Sequence, residues 1–132
     1  MLTSSKTALP RTRILRTRLK GVSGTEVDRK FQVQFQPELV QGLDLSAFEL
    51  ALVSAKIDYS VSNGKDDVAF INYEFISKNP IESWSLIESL MNENQDIRKS
   101  SIVCCEGSKG WDNYLLLSHF DRNEELDEIK NH

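Results

Sequence analysis

RKFQVQFQPELVQGLDLSAFELALVSAKIDYSVSNGKDDVAFINYEFIS, residues 29–77, is the stretch that decides the fold. Its opening alternates Phe31, Val33 and Phe35 with Gln32, Gln34 and Gln36, the period-2 pattern of a half-buried strand. Phe48 to Val61 then reads as a long strand with Ile57, Tyr59 and Val61 on one face. Asn63-Gly64 follows, a pair that accepts the positive φ angles of a type I′ turn, which predicts a tight hairpin there. Val68 to Ile76 is the returning strand, with Phe70, Tyr73 and Phe75 as its aromatic bulk. The class expected is α+β: an antiparallel sheet of about six strands, in the order β-β-β-β-α-β-β, with one helix packed on a face.

Working outward, Arg13 to Val22 reads as a first strand, turned by Ser23-Gly24 into the strand at Arg29–Gln36. Pro37 stops that strand, since proline cannot donate to a ladder, and Glu38 to Asp44 crosses over. The helix signal is strongest at Asn79. Asn79 caps, Pro80 suits the first turn, and Glu82 stands three residues after the cap. Ile81, Trp84, Ile87, Leu90 and Met91 then recur at helical spacing, so the helix is expected to run to about Met91. Ile102 to Cys105 and Trp111 to Phe120 form a further strand pair about Gly107–Gly110. Asp121 to Glu128 is read as an acidic, fraying helix anchored by Leu126 and Ile129. The expected organisation is a flexible arm (1–12), a single α+β domain (13–120) and an acidic tail (121–132).

Composition limits the function. A chain of 132 residues with 39% hydrophobic content has room for one modest core. It holds no apolar run of membrane-spanning length, and its first ten residues lack a secretory apolar stretch, so a cytoplasmic location is expected. The two cysteines, Cys104 and Cys105, are adjacent. Neighbours make a strained disulfide, and reduced thiols are expected, one buried and the other partly exposed on opposite strand faces. Residues 1–30 carry eight basic groups against two acidic ones, a net of +6, which leaves −10 for the remainder of a chain whose total is −4. Arg16, Arg18 and Lys20 alternate with Leu15, Thr17 and Leu19 as the wet face of a strand. No aromatic residue interleaves with these bases, so nucleic acid is not an expected partner.

No catalytic motif emerges. A nucleophile site from Cys104 or Cys105 with His119 and Asp112 can be drawn on paper, but a histidine in a polar strand is ordinarily a surface residue. Cys-Cys and a histidine fourteen residues on lack the paired spacing of tetrahedral zinc, so neither metal nor cofactor is expected. Gly107-Ser108-Lys109-Gly110 lacks P-loop spacing and reads as a hairpin turn. The large aromatic residues Phe48, Trp84 and Trp111 are the candidate protein-binding residues.

Residues 13–77 resemble the SecB family of export chaperones, including its shorter relatives associated with toxin–antitoxin systems. The resemblance lies in Arg13-Ile14-Leu15-Arg16-Thr17, in Gln34-Phe35-Gln36-Pro37-Glu38, in Gly42-Leu43-Asp44-Leu45, and in the strand order that leads into Val68-Ala69-Phe70-Ile71. Residues 81–93 lack the family's helix signature, and residues 102–120 read as a hairpin where the family has a second helix. The resemblance implies a non-enzymatic, protein-binding chaperone that holds unfolded or partner proteins and self-associates through its sheet. The acidic excess supports an alternative, a small immunity or antitoxin-type protein that neutralises one toxin.

Overall fold

Strand β1 (Arg29–Phe35) lies in the middle of an antiparallel sheet, bonded along both edges. The computed structural model describes residues 28–129; the expected strand Arg13–Val22 and the arm before it lie outside them. After a single 3-10 turn (Pro37–Leu39) come helix α1 (Ser46–Ser54) and the hairpin of β2 (Tyr59–Lys65) and β3 (Ala69–Ser77). Helices α2 (Pro80–Glu93) and α3 (Gln95–Ser100) lead to a second hairpin, β4 (Ser101–Gly107) and β5 (Gly110–His119). The sheet order is β2-β3-β1-β4-β5. Five strands and three helices are therefore described. β1 pairs with β3 along one edge and with β4 along the other.

The register puts Phe31, Val33 and Phe35 opposite Phe75, Tyr73 and Ile71, and opposite Cys105, Val103 and Ser101 on the other side. Antiparallel partners share a face, so these residues form one apolar layer. Phe48 and Leu52 of α1, Ile87 and Met91 of α2, and Ile97 of α3 close over it. Phe31 stacks on Phe75 with ring centroids 5.1 Å apart, and Phe48 meets Phe35 and Tyr73 edge-on at 5.1 and 5.0 Å.

The opposite face departs from the expected half-buried pattern. Gln32, Gln34 and Gln36 are all buried, because β1 is an inner strand. Gln36 Nε2 donates to Gln34 Oε1 at 3.2 Å. Beside them a second cluster forms from Ile102, Cys104, Tyr114 and Leu116, with Trp111 and Phe120 packed against it. Both cysteines are consequently buried, one in each layer, which corrects the expectation of one exposed thiol.

Three further expectations are corrected. The segment expected to begin the long strand at Phe48 is helix α1. The amide and hydroxyl of Ser46 both donate to Asp44 Oδ1, at 2.9 and 2.6 Å, which bends the chain into the helix and holds the Asp44 carboxyl below its ordinary value. Asn63-Gly64 belongs to β2, paired with Ile71 and Phe70, and the hairpin turns instead at Asp66–Val68. Gly64 is useful there because a Cβ would stand 3.0 Å from the Phe70 ring. Asp121 to Ile129 is not helical. Its Asp127 N–H donates to the Leu116 carbonyl at 2.7 Å, along the outer edge of β5.

The helix at Asn79 forms as its sequence dictates. Asn79 Oδ1 accepts from the Glu82 N–H at 3.2 Å and Pro80 opens the first turn. The β4–β5 turn also falls where expected, at Ser108-Lys109, with Gly110 at φ +67°. Gly107 permits a close crossing, since a Cβ there would run into the Asn113 carbonyl.

Two substitutions test this packing by chemical denaturation. Phe48→Ala should cost about 3–5 kcal/mol, the usual range for removing a buried aromatic. Gly107→Ala should cost about 1–3 kcal/mol through overpacking against Asn113.

Candidate functional site

An open cleft of about 1130 Å3 lies at the end of the sheet where β1 and β2 begin and β3 finishes. Its apolar wall comes from Ile57, Tyr59, Phe75, Ile76 and Leu86. Its charged rim mixes Lys30, Lys56 and Lys78 with Asp28, Asp58, Glu74 and Glu82. Ile76 is 62% exposed at its lip, among the most exposed large apolar side chains of the described residues. Ser77 and Ser83, also in the lining, hydrogen-bond through their hydroxyls at 2.6 Å, and Ser77 Oγ accepts from the Asn79 N–H at 3.1 Å. This pins the start of α2 to the end of β3 and fixes that side of the opening.

The other side is set by how α1 ends. Ile57 N–H donates to the Leu52 carbonyl and Lys56 N–H to the Val53 carbonyl, both at 2.9 Å. This is a Schellman closure, which places Lys56 in the left-handed region at φ +60°. Glycine takes that conformation without steric cost, whereas a lysine does not. A strained lysine is thus kept at the cleft rim. Below it, the Tyr73 hydroxyl donates to Glu49 Oε2 at 2.5 Å, tying α1 to β3. Burial first, and the Glu49 carboxylate second, push the Tyr73 phenol well above its ordinary value, so it stays protonated as the donor.

The residues singled out in the sequence lie elsewhere. Phe48 is fully buried among core rings, so its ring meets Phe35 and Tyr73 rather than solvent. Trp84 is half-buried on α2 against the main core. Trp111 is half-buried on β5 beside the second cluster. The cleft itself was missed because its walls come from short pieces of five separate segments with no common spacing. Only the exposed Ile76, out of place on a sheet surface, carries a local signal.

Cys104 or Cys105, His119 and Asp112 are not brought together as a nucleophile site. Asp112 and His119 lie at opposite ends of β5, seven residues or roughly 23 Å apart along an extended chain. His119 is buried, and its Nδ1 accepts from the Asp121 N–H at 2.9 Å. Burial pushes the Cys105 thiol up to about 12, with Arg29 pulling the other way, so the thiolate nucleophile is disfavoured. Among the described residues no group of three or more His, Cys, Asp or Glu side chains could hold a metal ion. No described helix is long and apolar enough to cross a membrane. No protein-family model, curated protein or solved structure matches the chain.

Two measurements follow from this geometry. Lys56→Gly should raise stability by about 1 kcal/mol, because it removes the left-handed strain without loss of a buried contact. The raised Cys105 value predicts stability that is complete below about pH 9 and declines from there toward about 12, as the unfolded thiol ionises and the folded one does not. Cys105→Ala should therefore flatten the alkaline limb of a stability–pH profile by up to about 1.4 kcal/mol per pH unit, even though it lowers stability at neutral pH.

Proposed function

We propose that this chain is a non-enzymatic protein-binding module that holds an extended apolar segment of another polypeptide in the cleft at the end of its sheet. The observation that carries this reading is the pairing of an apolar wall with a rim of both charge signs, entered past the exposed Ile76. An unfolded segment offers apolar side chains that such a wall desolvates. A mixed rim repels neither basic nor acidic flanks, which suits clients of varied sequence. Lys56, held at a costly backbone angle on that rim, fits a residue retained for contact rather than for stability. This is also the activity implied by the resemblance of residues 13–77 to the SecB family.

A second reading has its own support in the charge balance. The −10 carried after residue 30 would speed encounter with one basic partner, as an immunity or antitoxin-type protein requires.

Light scattering separates the two. A holdase suppresses aggregation of two unrelated unfolding clients at moderate salt, and Ile76→Asp, an exposed substitution that spares the core, weakens that protection several-fold. Absence of protection at a several-fold excess, together with tight one-to-one capture of a single partner whose association slows steeply with salt, supports the inhibitor reading instead.

A further inference from the structure

The described helices pack on one face of the sheet, through Phe48, Leu52, Ile87, Met91 and Ile97. The register gathers Gln32 and Gln34 of β1, Asn72 of β3, Ile102 and Cys104 of β4 and Leu116 of β5 on the other face. All six are at most 5% exposed. An antiparallel sheet with one open face leaves that face to water, so burial this complete needs a layer above it. Among the described residues none supplies that layer. The apolar cluster there draws on β4, β5 and Phe120 alone. The tail follows the outer edge of β5, where Asp127 bonds both main-chain groups of Leu116. The layer stops short of β2, whose Ser60 and Ser62 share the face and are exposed. Gln32 Nε2 and Asn72 Oδ1 are buried beneath it without a hydrogen-bond partner. They offer a donor and an acceptor, on neighbouring strands, to main-chain groups of a covering polypeptide.

We infer that the layer is the chain's own N-terminal segment, residues 1–27, docked across β3, β1, β4 and β5 on the face away from the helices. The segment joins the chain directly before β1, the central strand, and so enters this face at its middle. Twenty-seven residues reach up to roughly 90 Å, against about 19 Å across a sheet of five strands. The other end of the chain offers only Lys130-Asn131-His132, polar and roughly 10 Å long. Residues 1–27 carry the apolar side chains such a layer needs, among them Leu9, Ile14, Leu15, Leu19 and Val22. Their charge also fits. Six basic groups stand against Glu26 alone, a net of +5, and the tail that borders β5 holds Asp121, Glu124, Glu125, Asp127 and Glu128 against Arg122. The second face is thus a polypeptide-binding surface occupied by its own chain, separate from whatever enters the cleft.

The adjacent cysteines test the assignment in the full-length chain, because Cys104 lies under the inferred layer and Cys105 under the helices. Cys105→Ala leaves Cys104 as the sole thiol, and Cys104→Ala leaves Cys105. In these backgrounds Leu15→Asp with Leu19→Asp should speed maleimide labelling of Cys104 tenfold or more and leave that of Cys105 within about twofold. An unchanged Cys104 rate in a chain that circular dichroism shows to be folded overturns the inference. So does equal acceleration of both thiols in such a chain. Carbodiimide cross-linking of the unsubstituted chain decides the matter if the variant fails to fold. At dilute concentration Lys6 or Lys20 should link to carboxylates of residues 121–128 within one molecule. No such link, links only to Glu82 or Glu88 of α2, or links only between isotopically distinct chains overturns it. Client protection measured on the Leu15→Asp, Leu19→Asp chain reads the cleft separately, so the two proposals can fail independently.

Discussion

The interlocked rings of Phe35, Phe48 and Tyr73 are the contact on which the rest of the helical side depends. Phe48 is the residue α1 inserts into the sheet, and it meets one ring from β1 and one from β3. The Tyr73 hydroxyl, bonded to Glu49, adds a directional restraint next to a non-directional one. With α1 fixed in this way, its C-terminal closure at Lys56 and Ile57 falls at the end of the sheet, where β2 must begin. The cleft exists because that closure stops short of α2, which is itself tethered through Ser77 and Ser83.

How much of this was legible depended on whether the local pattern agreed with the long-range pairing. β1 was readable because alternation survives in an inner strand, although the glutamines that suggested a wet face are buried. α2 was readable because Asn79, Pro80 and the spacing from Ile81 all point the same way. α1 was misread because Phe48, Leu50 and Leu52 also satisfy a period of two. In the structure Phe48 and Leu52 lie one helical turn apart in the core, whereas Leu50 is 65% exposed. The turn preference of Asn63-Gly64 gave way to the pairing of β2 with β3, which carries β2 on to Lys65. Local propensity is a weak prior, and tertiary pairing overrides it.

The candidate site illustrates the same limit from the other side. Phe48, Trp84 and Trp111 stood out because large aromatics dominate both cores and interfaces, and size alone does not separate the two roles. What distinguishes the cleft is the convergence of a helix closure, three strand ends and a helix start, a geometry written in no single stretch of sequence. That β2 stands at the end of the described sheet is likewise a property of sheet order, visible only after β1 is known to sit in the middle.

That central position of β1 also shapes how the chain must assemble. β1 is made before the other described strands, yet its partners in β3 begin forty residues after the start of β1, and those in β4 lie about seventy residues on. Neither edge can be satisfied by a neighbour in sequence, so the loops that close the sheet must form before the central strand is paired on both sides. Until then Phe31, Val33 and Phe35 lie on an open strand that any similar segment could join. The nascent chain is therefore most exposed to misassociation in the interval before β4 emerges, and its folding should be slow for a protein of this size.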